Sequence, residues 1–173
     1  MFMRNLIVAT GLIVAVAATR FLPHPPNFSP VMAVALFGSA VFANRYLGIS
    51  LAIAAMLVSD AFLGLHSTLP FVYTSMVLAA LLGNMLRENR SVLKVTGVTL
   101  AGSVLFFVIT NFGVFMMQDM YAKSLQGLAE CYAMALPFFQ NSLAGDALFS
   151  AVLFGMHHIL VSRQKHGLAP SAV

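Results

Sequence analysis

Between Arg45 and Arg87 the chain carries a single charged side chain, Asp60. A helix or sheet at the surface of a soluble domain needs a polar face, and no such face can be drawn through this stretch. It divides instead into two apolar runs, 46–66 and 69–86. Each is close to the ~20 residues with which a helix crosses the ~30 Å hydrocarbon layer of a bilayer. Composition points the same way: 60% of the residues are hydrophobic and 8% charged, against about 45–50% and about 25% in soluble domains.

Further apolar runs at 5–22, 30–43, 92–115 and 137–161 extend the pattern. The expectation is an all-α integral membrane protein, one transmembrane domain over 1–173, built as a six-helix bundle. The first run stops at Pro23-His24-Pro25-Pro26-Asn27, where prolines forbid a continuing helix. The run 30–43 is short and rich in small residues. Segment 118–136 carries Asp119, Lys123 and Glu130, too polar to cross unaided, and is expected to be an interfacial or re-entrant helix before the last span.

Basic residues in short loops stay on the cytoplasmic side. With both termini inside, Arg4, Arg45, Arg87, Arg90, Lys94, Arg163 and Lys165 are cytoplasmic, and Arg20 and Lys123 are external. Ala15-Val16-Ala17 is open to a second reading as a signal-peptidase site. Gly11 and Ala15, spaced small-x-x-x-small, suit close approach of another helix, either within the bundle or in a partner.

In this topology the uncommon polar residues gather at the external end. His24 and Asn27 fall in the first external loop, Asp60 and His66 in the outer part of the third span, and Asn111 near the end of the fifth. Tyr121 and Cys131 lie in the 118–136 segment, and Asn141 and Asp146 in the outer half of the sixth span. These nine are the candidate substrate-binding residues. An Asp near a helix centre costs about 2.5–3.5 kcal/mol unless it faces protein or water. Asp60 is therefore expected to face inward, pairing with Arg20 or touching a ligand, and Asp146 to behave similarly. Asn111 is read either as a helix-to-helix hydrogen bond or as a ligand contact. His157 and His158, beside Arg163 and Lys165, are expected at a solvated helix terminus.

Other functions lack their residues. The nine Lys and Arg are scattered rather than clustered, which argues against nucleic acid. One cysteine excludes an internal disulfide and a multi-cysteine metal site. No G-x-x-x-x-G-K-[ST], H-E-x-x-H or G-x-S-x-G string is present, so neither a built-in ATPase nor a hydrolase is expected, and no cofactor is assigned. A soft metal or haem-type group held by His24, His66, Cys131 and the methionines 116, 117 and 120 stays open as an alternative, without any fixed ligand spacing. A purely structural assembly subunit is a third reading.

Several strings resemble a family of uncharacterised bacterial membrane-transport proteins: Arg20-Phe21-Leu22-Pro23-His24-Pro25-Pro26-Asn27-Phe28-Ser29-Pro30, Ala35-Leu36-Phe37-Gly38, Ser59-Asp60 with Gly64 and His66, Thr110-Asn111-Phe112-Gly113, and Gly127-Leu128 through Cys131-Tyr132 to Leu136-Pro137-Phe138-Phe139 with Asn141. That family is distantly similar, in architecture, to the substrate-binding S subunits of energy-coupling-factor vitamin transporters. The resemblance implies a six-helix protein of the bacterial cytoplasmic membrane that binds a vitamin-sized solute externally and mediates its uptake. It also implies docking of the first helix, through Gly11 and Ala15, to an energising transmembrane and ATPase module; the usual alanine pair is absent there, so a solitary transporter is the alternative.

Overall fold

The computed structural model describes residues 2–166, and within them the chain is helical with no strand. The helices are α1 (Phe2–Ala18), α2 (Val31–Val41), α3 (Arg45–Leu63), α4 (Leu69–Gly83), α5 (Val92–Met117) and α6 (Leu125–His166), with 3₁₀ turns at Thr19–Phe21 and Asn84–Leu86. Side chains set several boundaries. Asn44 Oδ1 accepts from the Tyr46 and Leu47 amides at the start of α3, and Ser91 Oγ from the Lys94 amide at the start of α5. At its end α3 hands over to Gly64 at φ 108°, a conformation that side-chain-bearing residues rarely adopt.

Among the described residues, four helices are long and apolar enough to cross a membrane: Arg45–Leu63, Leu69–Leu86, Val92–Met117 and Leu125–Val161. The six comparable spans expected from sequence thus resolve into four long helices and two shorter apolar ones, Leu6–Phe21 and Val31–Val41. At ~1.5 Å per residue, α2 is only about 16 Å long. It is also the centre of the molecule. All residues from Val31 to Ala40 are buried, and α2 packs on each of the other five helices. A helix apolar on every side has its natural place in a core rather than against water.

Small residues seat α2 there. Gly38 of α2 meets Gly48 of α3 so closely that a Cβ on either would run into the other's carbonyl, and a Cβ on Gly83 of α4 would strike Ser39 and Leu36. Before α2 the chain does not stay outside the bundle as a simple loop. Phe28 and Ser29 lie against Gly145 of α6, Phe28 packs on Phe149 with ring centroids 5.6 Å apart, and Asn141 Nδ2 donates to the Pro26 carbonyl at 3.0 Å. The proline-rich string is therefore a leg that turns at Pro26-Asn27, where the Phe28 amide donates to the Pro25 carbonyl at 3.1 Å, and then runs against α6 into a short helix. Only its last residues, Phe28 to Pro30, are covered by protein; residues 21–27 are exposed.

Segment 118–136 is corrected by the structure. Residues 118–124 form a turn, and α6 starts at Leu125 and continues through Pro137 as one helix. The proline removes one backbone hydrogen bond, but Phe107 of α5 packs on Tyr132 and Phe139, on both sides of the break. Packing of α6 along α5 outweighs the local signal. Lys123 folds back over the turn and donates to the Phe115 and Gln118 carbonyls at the end of α5.

Candidate functional site

At the end of the bundle bearing His24 and His66, three elements are joined by one ionic cluster. Arg20, in the 3₁₀ turn after α1, places Nη1 2.6 Å from Asp60 Oδ1 of α3 and 2.5 Å from Ser59 Oγ. Tyr73 of α4 donates its phenolic proton to Asp60 Oδ2 at 2.5 Å. Asp60 is 3% exposed, so the carboxylate is desolvated and then compensated on both oxygens. Of its two sequence readings, pairing with Arg20 is the arrangement found.

Asp146 occupies a second seam. It is buried in α6 and accepts from Ser103 Oγ of α5 at 2.6 Å. One turn along, Thr99 Oγ1 and Ser150 Oγ are 3.2 Å apart. The remaining candidates are dispersed. His24 is exposed with Nδ1 3.0 Å from the Pro25 carbonyl; Asn27 is exposed at φ 62°; His66 is exposed with Nδ1 2.7 Å from Thr68 Oγ1. Asn111 donates to the Phe107 carbonyl of its own helix at 2.8 Å, and its carbonyl lies 3.5 Å from the buried Cys131 Sγ. Tyr121 is half-buried in the turn before α6, and Asn141 holds the proline leg. None of these nine lines the cavity between α5 and α6 or the two smaller spaces flanking the bundle. Among the described residues, no three His, Cys, Asp or Glu side chains come together as a metal site would require.

The largest of those cavities, about 730 Å³, lies between α5 and α6 towards the opposite end of the bundle. Its walls are mainly apolar, with Val92, Val95 and Leu100 on α5 and Leu143, Ala151 and Phe154 on α6. Hydroxyls of Thr96, Thr99, Ser103 and Ser150 interrupt them, and Arg90, His157 and His158 line the basic end. Ligand pockets typically enclose about 300–1,000 Å³, with apolar walls and a few placed polar groups. Two smaller spaces flank the bundle: one of about 260 Å³ beside the α2–α3 turn, and a shallow apolar one of about 440 Å³ walled by Phe71, Val108 and Phe112.

Arg90 and its neighbour Arg87 also have a structural task. Arg87 donates from Nη1 to the Ser39 and Phe42 carbonyls at 2.8 and 2.9 Å and from Nη2 to the Ala43 carbonyl at 2.8 Å. Arg90 Nη2 reaches the Ala40 carbonyl at 2.6 Å. Two cations thus satisfy the orphan carbonyls at the negative end of the α2 dipole. Desolvation, with the Arg87 charge close by, lowers the Arg90 pKa from its ordinary value.

Sequence reasoning assigned Arg87 and Arg90 to topology alone and placed His157 at a solvated terminus. The latter is corrected: His157 is 8% exposed and packs edge-on against Phe37 of α2, with centroids 5.6 Å apart, because α6 still lies on α2 at this height. The α5–α6 hydroxyls were legible in principle. Thr99 and Ser103, like Asp146 and Ser150, stand four residues apart and so share a helix face.

No curated protein and no solved structure matches the chain. A family described only as a family of unknown function (DUF6580) matches residues 2–169. A helical bundle with one buried central helix and a lateral, basic-ended cavity is thus the arrangement of a chain that belongs to the family DUF6580.

Proposed function

We propose that this chain is a multi-pass transport protein of the bacterial cytoplasmic membrane, binding a vitamin-sized solute in the α5–α6 cavity and mediating its uptake. Six crossings follow if α1 with its 3₁₀ extension, and the proline leg with α2, each traverse the bilayer beside the four long helices. The Arg87 and Arg90 end is then cytoplasmic. The observation that carries this reading is the cavity of about 730 Å³, mainly apolar and dotted with hydroxyls, which suits one solute of that size. In the proposed cycle this is the inward-facing state. The Arg20–Asp60–Tyr73 cluster pins the turn after α1 to α3 and α4 at the opposite end of the bundle.

Partner docking fits the outer face of α1, where Gly11 and Ala15 are exposed and a Cβ on Gly11 meets nothing within 4 Å. An energising subunit approaching there completes a transporter similar to the S-subunit systems; without one, transport is solitary.

The test is a ligand-stability screen of the purified protein with vitamins and their analogues. A ligand at about 100 times its Kd stabilises the folded state by about 2.7 kcal/mol. Cys131, the sole cysteine and 2% exposed, reports unfolding through a thiol-reactive dye. A hit is then followed for uptake into proteoliposomes. If no vitamin-sized compound moves the transition, the structural-subunit reading gains: it is favoured by the engagement of Asp60 and Asp146 between elements of the bundle, and of Asn141 on the proline leg, rather than at a cavity wall.

A further inference from the structure

The two ends of the α5–α6 cavity differ in charge. Arg90, His157 and His158 line one end, and among the described residues no acidic side chain lines the space. Arg90 is a permanent cation. It spends Nε and Nη2 on the Leu86, Ala40 and Arg87 carbonyls, and among the described residues Nη1 has no hydrogen-bond partner. His157 is more than nine-tenths buried, yet its Nε2 has no partner either. An unpaired buried ring nitrogen is disfavoured; the His157 ring lines the cavity, and a ligand that drew the ring round would give the enclosed Nε2 a partner. His158, exposed at the same rim, adds a third donor-capable group.

At the far end lies Asp146, behind Ser103, which donates to it and separates it from the space. From residue 90 to residue 103 the separation along the helix is about 20 Å. A cationic end and a screened acid that far apart orient a dipolar guest. An acid group is favoured beside Arg90 and disfavoured beside Ser103, while the apolar body lies along Val95, Leu100 and Phe154.

We propose that this cavity binds a vitamin-sized organic anion, an apolar body bearing one carboxylate or comparable acid group that is received by Arg90, His157 and His158. The assignment deepens the transport reading and rests on it. Charge complementarity selects the anion, and a volume of about 730 Å³ holds one such molecule whole.

The test uses full-length protein in phosphatidylcholine nanodiscs and measures binding of two pairs of probes, 2-naphthoate against 2-naphthamide and decanoate against decanol. In each pair the acid is expected to bind roughly tenfold more tightly, as for charge-assisted hydrogen bonds. H157F keeps a ring against Phe37, and H158Q lies at the exposed rim; both leave Arg90 on the α2 carbonyls. Each is expected to weaken acid binding about three- to tenfold and leave the neutral partner unchanged. Equal binding of acid and neutral probe overturns the anion assignment and leaves the transport reading standing. Absence of binding by all four overturns both. Loss of acid binding when phosphatidylglycerol is added to the nanodisc assigns the cavity to an anionic lipid and also overturns the proposal.

Discussion

Arg20 and Asp60, forty positions apart in the chain, meet at 2.6 Å where the turn after α1 crosses the end of α3. Tyr73 closes the other side of the carboxylate. Three elements are thus pinned by one buried charge, and the consequence is asymmetric. Removing one partner strands the other in a low-dielectric site, at a cost of about 3–5 kcal/mol. Asp60→Leu and Arg20→Met are each expected to lower Tm strongly, and the double variant to recover most of the loss. A double-mutant cycle on thermal unfolding checks this; strictly additive losses would show that the pair is not coupled.

The contact between Gly38 and Gly48 gives a steric prediction. Gly48→Ala places a Cβ against the Gly38 backbone, which cannot move aside without displacing α2. A severe loss of folded yield is expected. Gly97→Ala is the control, since its Cβ meets nothing within 4 Å and alanine favours a helix by about 0.8–1 kcal/mol. Comparison of monodisperse yield and Tm for the two variants separates a packing effect from a propensity effect.

Arg87 supports the C-terminus of α2 with three charged hydrogen bonds. Arg87→Ala leaves those carbonyls unpaired, and with each such bond worth about 1.5–3 kcal/mol the variant is expected to be among the least stable of the arginine set. Arg45→Ala is expected to stay within about 0.5 kcal/mol of wild type, because Arg45 is exposed and engages its neighbour Tyr46 at the surface, over its ring at 5.1 Å and through a long hydrogen bond to its hydroxyl at 3.4 Å. Equal Tm values for the two variants would remove the capping role.

These cases show what could be read in the chain beforehand. Asp60 was legible because a lone acid in an apolar run has few tolerable environments, and Arg20 is one of the few cations on the same side. The prolines at 23, 25 and 26 correctly marked a helix break. They could not reveal that the leg descends along α6, since that depends on Gly145 and Asn141 more than a hundred residues away. For α2, an apolar segment looks alike whether it faces lipid or protein, so its central place was hidden. The break expected near Pro137 failed for a related reason: packing of Phe107 against Tyr132 and Phe139 is a tertiary effect. The α5–α6 cavity was invisible for the same cause, because helix spacing is not written in the periodicity of either helix.

Asn141 should reveal whether the proline leg is held from α6. Asn141→Leu removes the donor to the exposed Pro26 carbonyl and is expected to cost about 0.5–1.5 kcal/mol. Faster backbone hydrogen exchange confined to residues 23–30 would accompany it. Unchanged exchange in that segment would mean that the leg is held by Phe28 and its neighbours alone.

If a solute sits between α5 and α6, filling that space must exclude it. Ala151 lines the cavity from α6, and Ala151→Trp places a large side chain in it. The measurement is the ligand-induced shift in Tm for wild type and for this variant, using a compound that stabilises the wild type. The variant is expected to fold with a Tm at or above that of wild type and to lose the ligand shift. A full shift retained by a folded Ala151→Trp protein would contradict the account, placing the ligand elsewhere in the molecule.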